Sequence, residues 1–422
     1  MKKIFYLLVF AILLVACEKE KDIICGDSKG DELVIGLEEA IALANTAPMQ
    51  FSDYSTRSGS YKSVDKSKIE LIIASTTRSA ADTLMYVINY KNAEGFAIIS
   101  HKRINSPILV YAEQGTYLPN STSKISGFEE YLESAKQYLS DIEIDGMSES
   151  KIGINPDPSL YEYKTDVTER NDTVLPQIKV EWGQQGIYGS FCPNGIAGCS
   201  NTGIAMAMSH FEYPKQLSLS FPDKPATSVN LNWKSIKKHT SQDYYSSNPG
   251  DYGTWSETSS LDSHGCKKSD WLAIGCLMRE LGHRSNSDYS KSDGTSTPFS
   301  KTHATLKGLG FNVTDIADYK SCCGRAVSEN ALMIMCGTND DGTHLWMIDG
   351  YRYHEYLAIK WRKYKYSYAW EEVSSYSYNK IYYHCNWGWN GMYNGYYQEL
   401  KGDGYKIDTY HKNLKYFIMS KG

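Results

Sequence analysis

Apolar and polar positions along this chain follow two periods, and the switches between them mark its organisation. Leu37, Ala40, Ile41 and Ala44 recur at helical spacing and predict a short amphipathic helix over residues 36–49. A Ser-rich stretch over 52–67 reads as loop. Three strand-like runs follow at 69–74, 84–90 and 96–100, the last two joined by a connection of hairpin length over 91–95. Residues 107–111 add a short strand. Helical spacing then returns over 128–142, with Glu129, Glu130 and Glu133 toward its start. Residues 36–145 therefore read as an α+β unit of their own.

From 145 to 176 the periodicity disappears, and the composition shifts to Ser, Asp, Pro, Thr and Asn. That is linker chemistry, open to proteolysis, with Lys164, Glu169 and Arg170 as charged candidates for a cut between about 161 and 176. Beyond it the chain is denser in Gly, Trp and Cys. A helix is predicted over 202–211, with Ile204, Met208 and Phe211 on one face and Gly203, Ala205 and Ala207 permitting deep burial. Strands are predicted at 331–336, 345–348, 351–361, 382–387 and 395–400. Of the 34 Tyr, 13 lie between 351 and 400. On twisted strands such rings form core and cross-strand pairs. An exposed row of them would instead suit a glycan-binding or adhesive surface.

A length of 422 residues suits two or three domains. Hydrophobic residues at 41% exclude wholesale disorder, and a net charge of −5 argues against a nucleic-acid partner. At the N-terminus, Lys2 and Lys3 precede an apolar run from Ile4 to Ala16 that is too short to span a membrane, which is the pattern of an export signal. Leu14-Val15-Ala16-Cys17 resembles the bacterial lipoprotein box, in which the Cys is acylated and becomes the new N-terminus. An ordinary secretory signal is the alternative. The acidic tether from Glu18 to Asp22 also resembles surface-export signals of Bacteroides-type lipoproteins. Nine other Cys remain, an odd number that leaves at least one free thiol in an exported protein. They contain no C-x-x-C pair, and Cys322 and Cys323 are adjacent, so neither a metal site nor a cofactor is expected.

The candidate chemistry starts at Gly198-Cys199-Ser200-Asn201-Thr202. With Ser200 or Asn201 capping the following helix, Cys199 would sit at a helix N-terminus, where the dipole and free N–H groups favour the thiolate. Taken alone, Cys199 reads equally as a buried structural Cys. A thiolate nucleophile needs a base, and His344 enters an apolar strand 145 residues later, within the ~130–150 typical of papain-like proteases. Asn386 has a carbonyl that can fix the imidazole tautomer, and Trp387 can shield that bond from water. Gln184, 15 residues ahead of Cys199, offers an amide donor for an oxyanion hole. As isolated residues, Asn386 and Gln184 also read as loop polar groups.

Together these pieces carry a resemblance. Trp182-x-Gln184, then Gly198-Cys199-x-x-Thr202 with Pro214 beyond it, appear in the order seen in streptopain-like cysteine peptidases, family C10. His344 before Trp346-x-Ile348-Asp349-Gly350-Tyr351 continues that order, and Asn386-Trp387-Gly388-Trp389-x-Gly391 followed by Gly395-Tyr396-Tyr397 completes it. The N-terminal unit looks like the family's inhibitory propeptide, particularly over 95–100 and 107–111. The resemblance implies an α+β chain with a papain-like catalytic fold, made as a zymogen and hydrolysing peptide bonds in proteins. It implies Cys199 as nucleophile, His344 as base, Asn386 and Trp387 as its supports, and Gln184 in the oxyanion hole. This sequence departs from the family pattern at Thr343 and Asn390, each in place of a Gly, at Ile187-Tyr188-Gly189, and at Met206.

The expected organisation is a signal peptide over 1–16, a tether over 17–35 lipidated at Cys17, a propeptide domain over 36–145, a linker with the activation cut over 146–173, and a catalytic domain over 174–422. The expected setting is the cell envelope, at the outer membrane or cell surface. The expected partners are protein or peptide substrates, the chain's own propeptide, and the membrane through the lipid. Two other readings share these residues: an impaired protease-derived surface binding protein, and a transglutaminase-like acyl transferase using the same Cys–His pair.

Overall fold

The computed structural model describes residues 34–51, 62–73, 83–104, 106–120, 125–141, 160–237, 268–315, 327–339, 342–400 and 412–422. The segment expected to be a signal peptide, Cys17, most of the expected tether, residues 146–159 of the expected linker, and Cys25, Cys266, Cys322 and Cys323 lie outside the described residues.

Helix α1 (Leu37–Phe51) opens the N-terminal region, followed by β1 (Val64–Ile73), β2 (Thr83–Tyr90), β3 (Phe96–Ser100), β4 (Ile108–Ala112) and helix α2 (Ser126–Asp141). The central strands are buried on both faces, so they read as continuous apolar runs rather than as alternation. Tyr86, Ile88, Ala97 and Ile99 face α1, packing with Ala40, Ala44 and Phe51. Met85, Val87, Phe96 and Ile98 face α2, packing with Phe128, Leu132 and Leu139. This region follows the sequence pattern closely.

Residues 161–173 do not form a linker. They lie in β5 (Tyr161–Val174), which pairs antiparallel along its whole length with residues 351–364. The strand is largely exposed, so no apolar alternation announces it. Its β-branched Thr165, Val167, Thr168, Thr173 and Val174 nevertheless suit a pleated backbone.

Helix α3 (Cys199–Phe211) follows, then the small hairpin of β6 (Gln216–Ser218) and β7 (Ser228–Asn230). Helices α4 (Lys268–Arg284) and α5 (Phe299–Gly308) come next, ahead of β8 (Phe311–Asp315) and β9 (Ala331–Asn339). Strands β10 (Gly342–Tyr364), β11 (Glu371–Asn386), β12 (Gly395–Gln398) and β13 (Lys412–Lys421) complete the chain. The runs expected at 345–348 and 351–361 are thus one strand, with an irregularity in its pairing to β11 between Ile348 and Gly350. Of the C-terminal tyrosines, Tyr382, Tyr383, Tyr393, Tyr396 and Tyr397 are core, whereas Tyr366 and Tyr368 at the β10–β11 turn are exposed.

The two regions share one sheet. Strand β4 pairs with β12, giving the order β1-β2-β3-β4-β12-β11-β10-β9-β13-β8, with β5 on the side of β10. Gly395 permits that junction, since a Cβ there would fall 2.1 Å from the carbonyl oxygen of Tyr111. Across this sheet β10 separates two cores. Leu345 and Met347 pack with α3, while Trp346 and Ile348 pack on the side of α2. That division sets the environment of the candidate site.

Candidate active site

Cys199 is the first residue of α3, and Gly198 is the N-cap at φ 88, a left-handed conformation that suits glycine. Neither Ser200 nor Asn201 caps the helix. Both lie in its buried first turn, where the Asn201 amide donates to the carbonyl of Ala197 at 2.8 Å. Cys199 is half-buried. Burial pushes its thiol up and outweighs the N–H groups of Leu345, Ser200 and Cys199 itself, which favour the thiolate. In this form the helix terminus does not produce the net lowering expected from the sequence.

The contact with Leu345 brings the thiol against β10 one residue past His344. Adjacent strand residues point to opposite faces, however, and the imidazole lies on the other side. His344 stacks against Trp346 at 6.4 Å and against Trp387 at 6.3 Å between ring centroids. Burial lowers its pKa to about 4, opposed by a hydrogen bond to the Trp387 backbone, and Nε2 has no partner. Among the described residues, no hydrogen bond joins His344 to Cys199 or to Asn386.

Helix α2 of the N-terminal region explains this placement. A Cβ on Gly127 would lie 2.3 Å from Cζ3 and 2.7 Å from Cε3 of Trp387, and 3.1 Å from Cδ2 of His344. The helix backbone therefore rests on both rings, with no room for a side chain. Trp387 cannot yield easily, because its Nε1 donates to Tyr393 O at 3.1 Å and to Tyr397 Oη at 3.0 Å. Asn386 is buried, with Oδ1 accepting from Gly388 N at 3.2 Å and Nδ2 donating to Val180 O at 3.5 Å.

The Gly183–Gln184 segment is fastened to the start of α3 and the residues just before it. The Gln184 carbonyl accepts from Ala197 N at 2.7 Å, and Thr202 Oγ1 donates to Gly183 O at 3.3 Å. The Gln184 side-chain Nε2 is buried without a partner. An orphaned buried donor costs about 1–3 kcal/mol, and an anion forming nearby would relieve that cost. The Asn390 departure is accommodated at φ 52, which Asn tolerates, with its side chain against Gly183. Thr343 is exposed and Met206 is core. Among the described residues no cluster of three His, Cys, Asp or Glu is placed to hold a metal ion.

Sequence reasoning passed over one group. His384 Nδ1 donates to Asp349 Oδ1 at 2.6 Å in a fully buried pair. Asp349 stands inside a motif quoted above, five positions after His344, and His384 stands two positions before Asn386, just ahead of the next motif.

A model described as the Peptidase C10 family matches residues 182–397, just over half of the chain, and spans every residue of this site. The chain belongs to the peptidase C10 family. A second model, the Spi protease inhibitor, matches residues 35–139. Streptopain from Streptococcus pyogenes serotype M28 and streptopain from serotype M1 are each 24% identical over 331 residues, covering 74% of this chain and 73% of the relative. A fragment of prointerpain A from Prevotella intermedia is 18% identical with a TM-score of 0.46, covering 84% of this chain and 99% of that one. As a C10 member the chain is a cysteine-type endopeptidase of α+β, papain-like fold. Its N-terminal domain is of the inhibitor type, as in a zymogen.

Proposed function

We propose that this C10 peptidase is exported, lipid-anchored at Cys17 and latent until cut, with Cys199 as nucleophile and His344 as base. The observation that carries the reading is the family match over 182–397, which contains Gln184, Cys199, His344, Asn386 and Trp387 in order. In the reaction the imidazole takes the thiol proton and the thiolate adds to the scissile carbonyl. The Gln184 amide and the Cys199 N–H donate to the developing oxyanion. The imidazolium then protonates the leaving amine, and water hydrolyses the thioester. Asn386 fixes the ring's tautomer, and Trp387 shields that bond from water.

Latency follows from the position of α2. With the helix on His344 and Trp387, burial favours a neutral imidazole and a neutral thiol, which is the wrong charge state for attack. Removing the domain readmits water and lets the ring turn toward Cys199. The cut falls within 146–160, since from Tyr161 onward the chain is paired with β10. Lys164, Glu169 and Arg170 are accordingly set aside as cleavage sites. The signal peptide over 1–16 places the chain in the cell envelope, at the outer membrane or surface. Cutting releases the catalytic domain from its lipid once the β4–β12 pairing opens. The test is hydrolysis of casein by the processed chain, abolished in Cys199→Ala.

A further inference from the structure

We infer that Asp349 and His384 are a positioning pair that holds the three catalytic segments in register. The inference rests on the roles proposed above for His344, Asn386 and Gln184. One buried carboxylate makes the joint. Asp349 Oδ1 accepts from His384 Nδ1 at 2.6 Å, and Oδ2 accepts from the backbone N–H of Ile178 at 2.9 Å. The Asp349 carbonyl also accepts from Gln177 N at 3.0 Å. These bonds fasten β10, β11 and the segment leading to Gln184 at one point. His344 lies five residues before Asp349, Asn386 two after His384, and Gln184 six after Ile178.

The local ladder shows how the carboxylate reaches its partners. Ile348 pairs with Cys385, but the next pairing is Gly350 with His384, so Asp349 is the extra residue of a bulge. Such an irregularity re-aims a side chain, and here the buried pair pins it. Asn386 pairs with Met347 and so lies on the α3 face of the sheet with Cys199. A one-residue slip would carry it off that face, to which the imidazole must turn to act.

The charges around His384 support a lasting tie. Asp349 faces one ring nitrogen, and Glu113 Oε2, from the N-terminal domain, lies 3.6 Å from the other. The Tyr396 ring lies 5.1 Å away, and Lys62 and Lys179 stand near Glu113. Burial disfavours the imidazolium, but the Asp349 carboxylate and then Glu113 outweigh it and raise the ring's pKa to about 10. The Glu113 contribution ends when its domain departs, whereas that of Asp349 stays with the catalytic unit.

The test uses the processed chain and a peptide substrate. His384→Ala should lower kcat by about 10- to 100-fold with KM nearly unchanged, the effect of a misplaced catalytic group. His384→Asn should recover most of that loss, because its amide nitrogen takes the place of Nδ1 and donates to Asp349. Combined with Asn386→Ala, His384→Ala should cost much less than it does alone, since both act on the same imidazole. If His384→Ala does not fold, the isosteric Asp349→Asn gives the same reading through a fall in kcat of about tenfold or more. An unchanged kcat, or full additivity with Asn386→Ala, would overturn the pair while leaving Cys199 and His344 in their roles. Hydrolysis that survives Cys199→Ala would instead overturn those roles.

Discussion

Gly127 is where latency is most exposed to a single substitution. Replacing it by Val sets two effects against each other. The helix gains, because Gly in a helix is worse than Ala by about 0.5–1 kcal/mol, although Val recovers only part of that. Against this, a Cβ would stand 2.3 Å and 2.7 Å from ring carbons of Trp387 and 3.1 Å from His344. Contacts below 3 Å require movement, and Trp387 is held by two hydrogen bonds through Nε1. Overpacking of this kind costs about 1–3 kcal/mol, and two γ-methyls place Val toward the upper end. The clash wins, and the balance tips toward the open state by about 5- to 100-fold. The assay is the rate at which iodoacetamide alkylates Cys199 in the uncut chain, with the processed enzyme as upper reference. The uncut Gly127→Val chain should react faster than wild type by that factor, and Gly127→Ala should fall between them. A Gly127→Val chain that folds and reacts at the wild-type rate would refute the placement of α2 on the site.

Gln184→Ala in the processed chain should lower kcat by about 10²- to 10³-fold with little change in KM, and a loss confined to KM would move Gln184 to ground-state binding. Latency should also weaken in acid. Burial holds His344 near 4 in the closed form, below the ordinary histidine value of 6.5, so closure is fully supported above about pH 6.5 and loses support as pH falls toward 4. Glu113 is held below the usual carboxylate range, chiefly by His384 against its own burial, and acts in the same direction. In Cys199→Ala, α2 amides should exchange about 10- to 100-fold faster at pH 4.5 than at pH 7.5 after correction for intrinsic rates, and a flat ratio would contradict the titration.

The parts of this protein that were legible in its sequence are those where each face of an element has a definite partner. Strands β2 and β3 lie between two helices and read as unbroken apolar runs, and α3 reads through its small residues. The order of Gln184, Cys199, His344 and Asn386 stands out in the sequence because the roles proposed for them, oxyanion donor, nucleophile, base and orienter, each demand a residue type. Strand β5 was not, because it is largely exposed and carries no period. The joining of β4 to β12 was not, because pairing between Val110 and Tyr397 leaves no local trace beyond the glycine at 395. Strand alternation puts His344 and Leu345 on opposite faces, but nothing local says that α2 covers the histidine. The Asp349–His384 pair depends on a bulge that periodicity does not register.

The central claim is that Cys199 performs the hydrolysis and that the N-terminal domain withholds it. Casein hydrolysis by four samples tests this directly: the uncut and the processed chain, each with Cys199 intact and with Cys199→Ala. To obtain the uncut chain with Cys199 intact, it is assayed before processing begins, and Cys199→Ala is cut with an added protease. The prediction is activity in the processed Cys199 chain alone, with the uncut chain lower by orders of magnitude and both Cys199→Ala samples at background. Equal activity of the uncut and processed chains, or hydrolysis by processed Cys199→Ala at the wild-type rate, would contradict it.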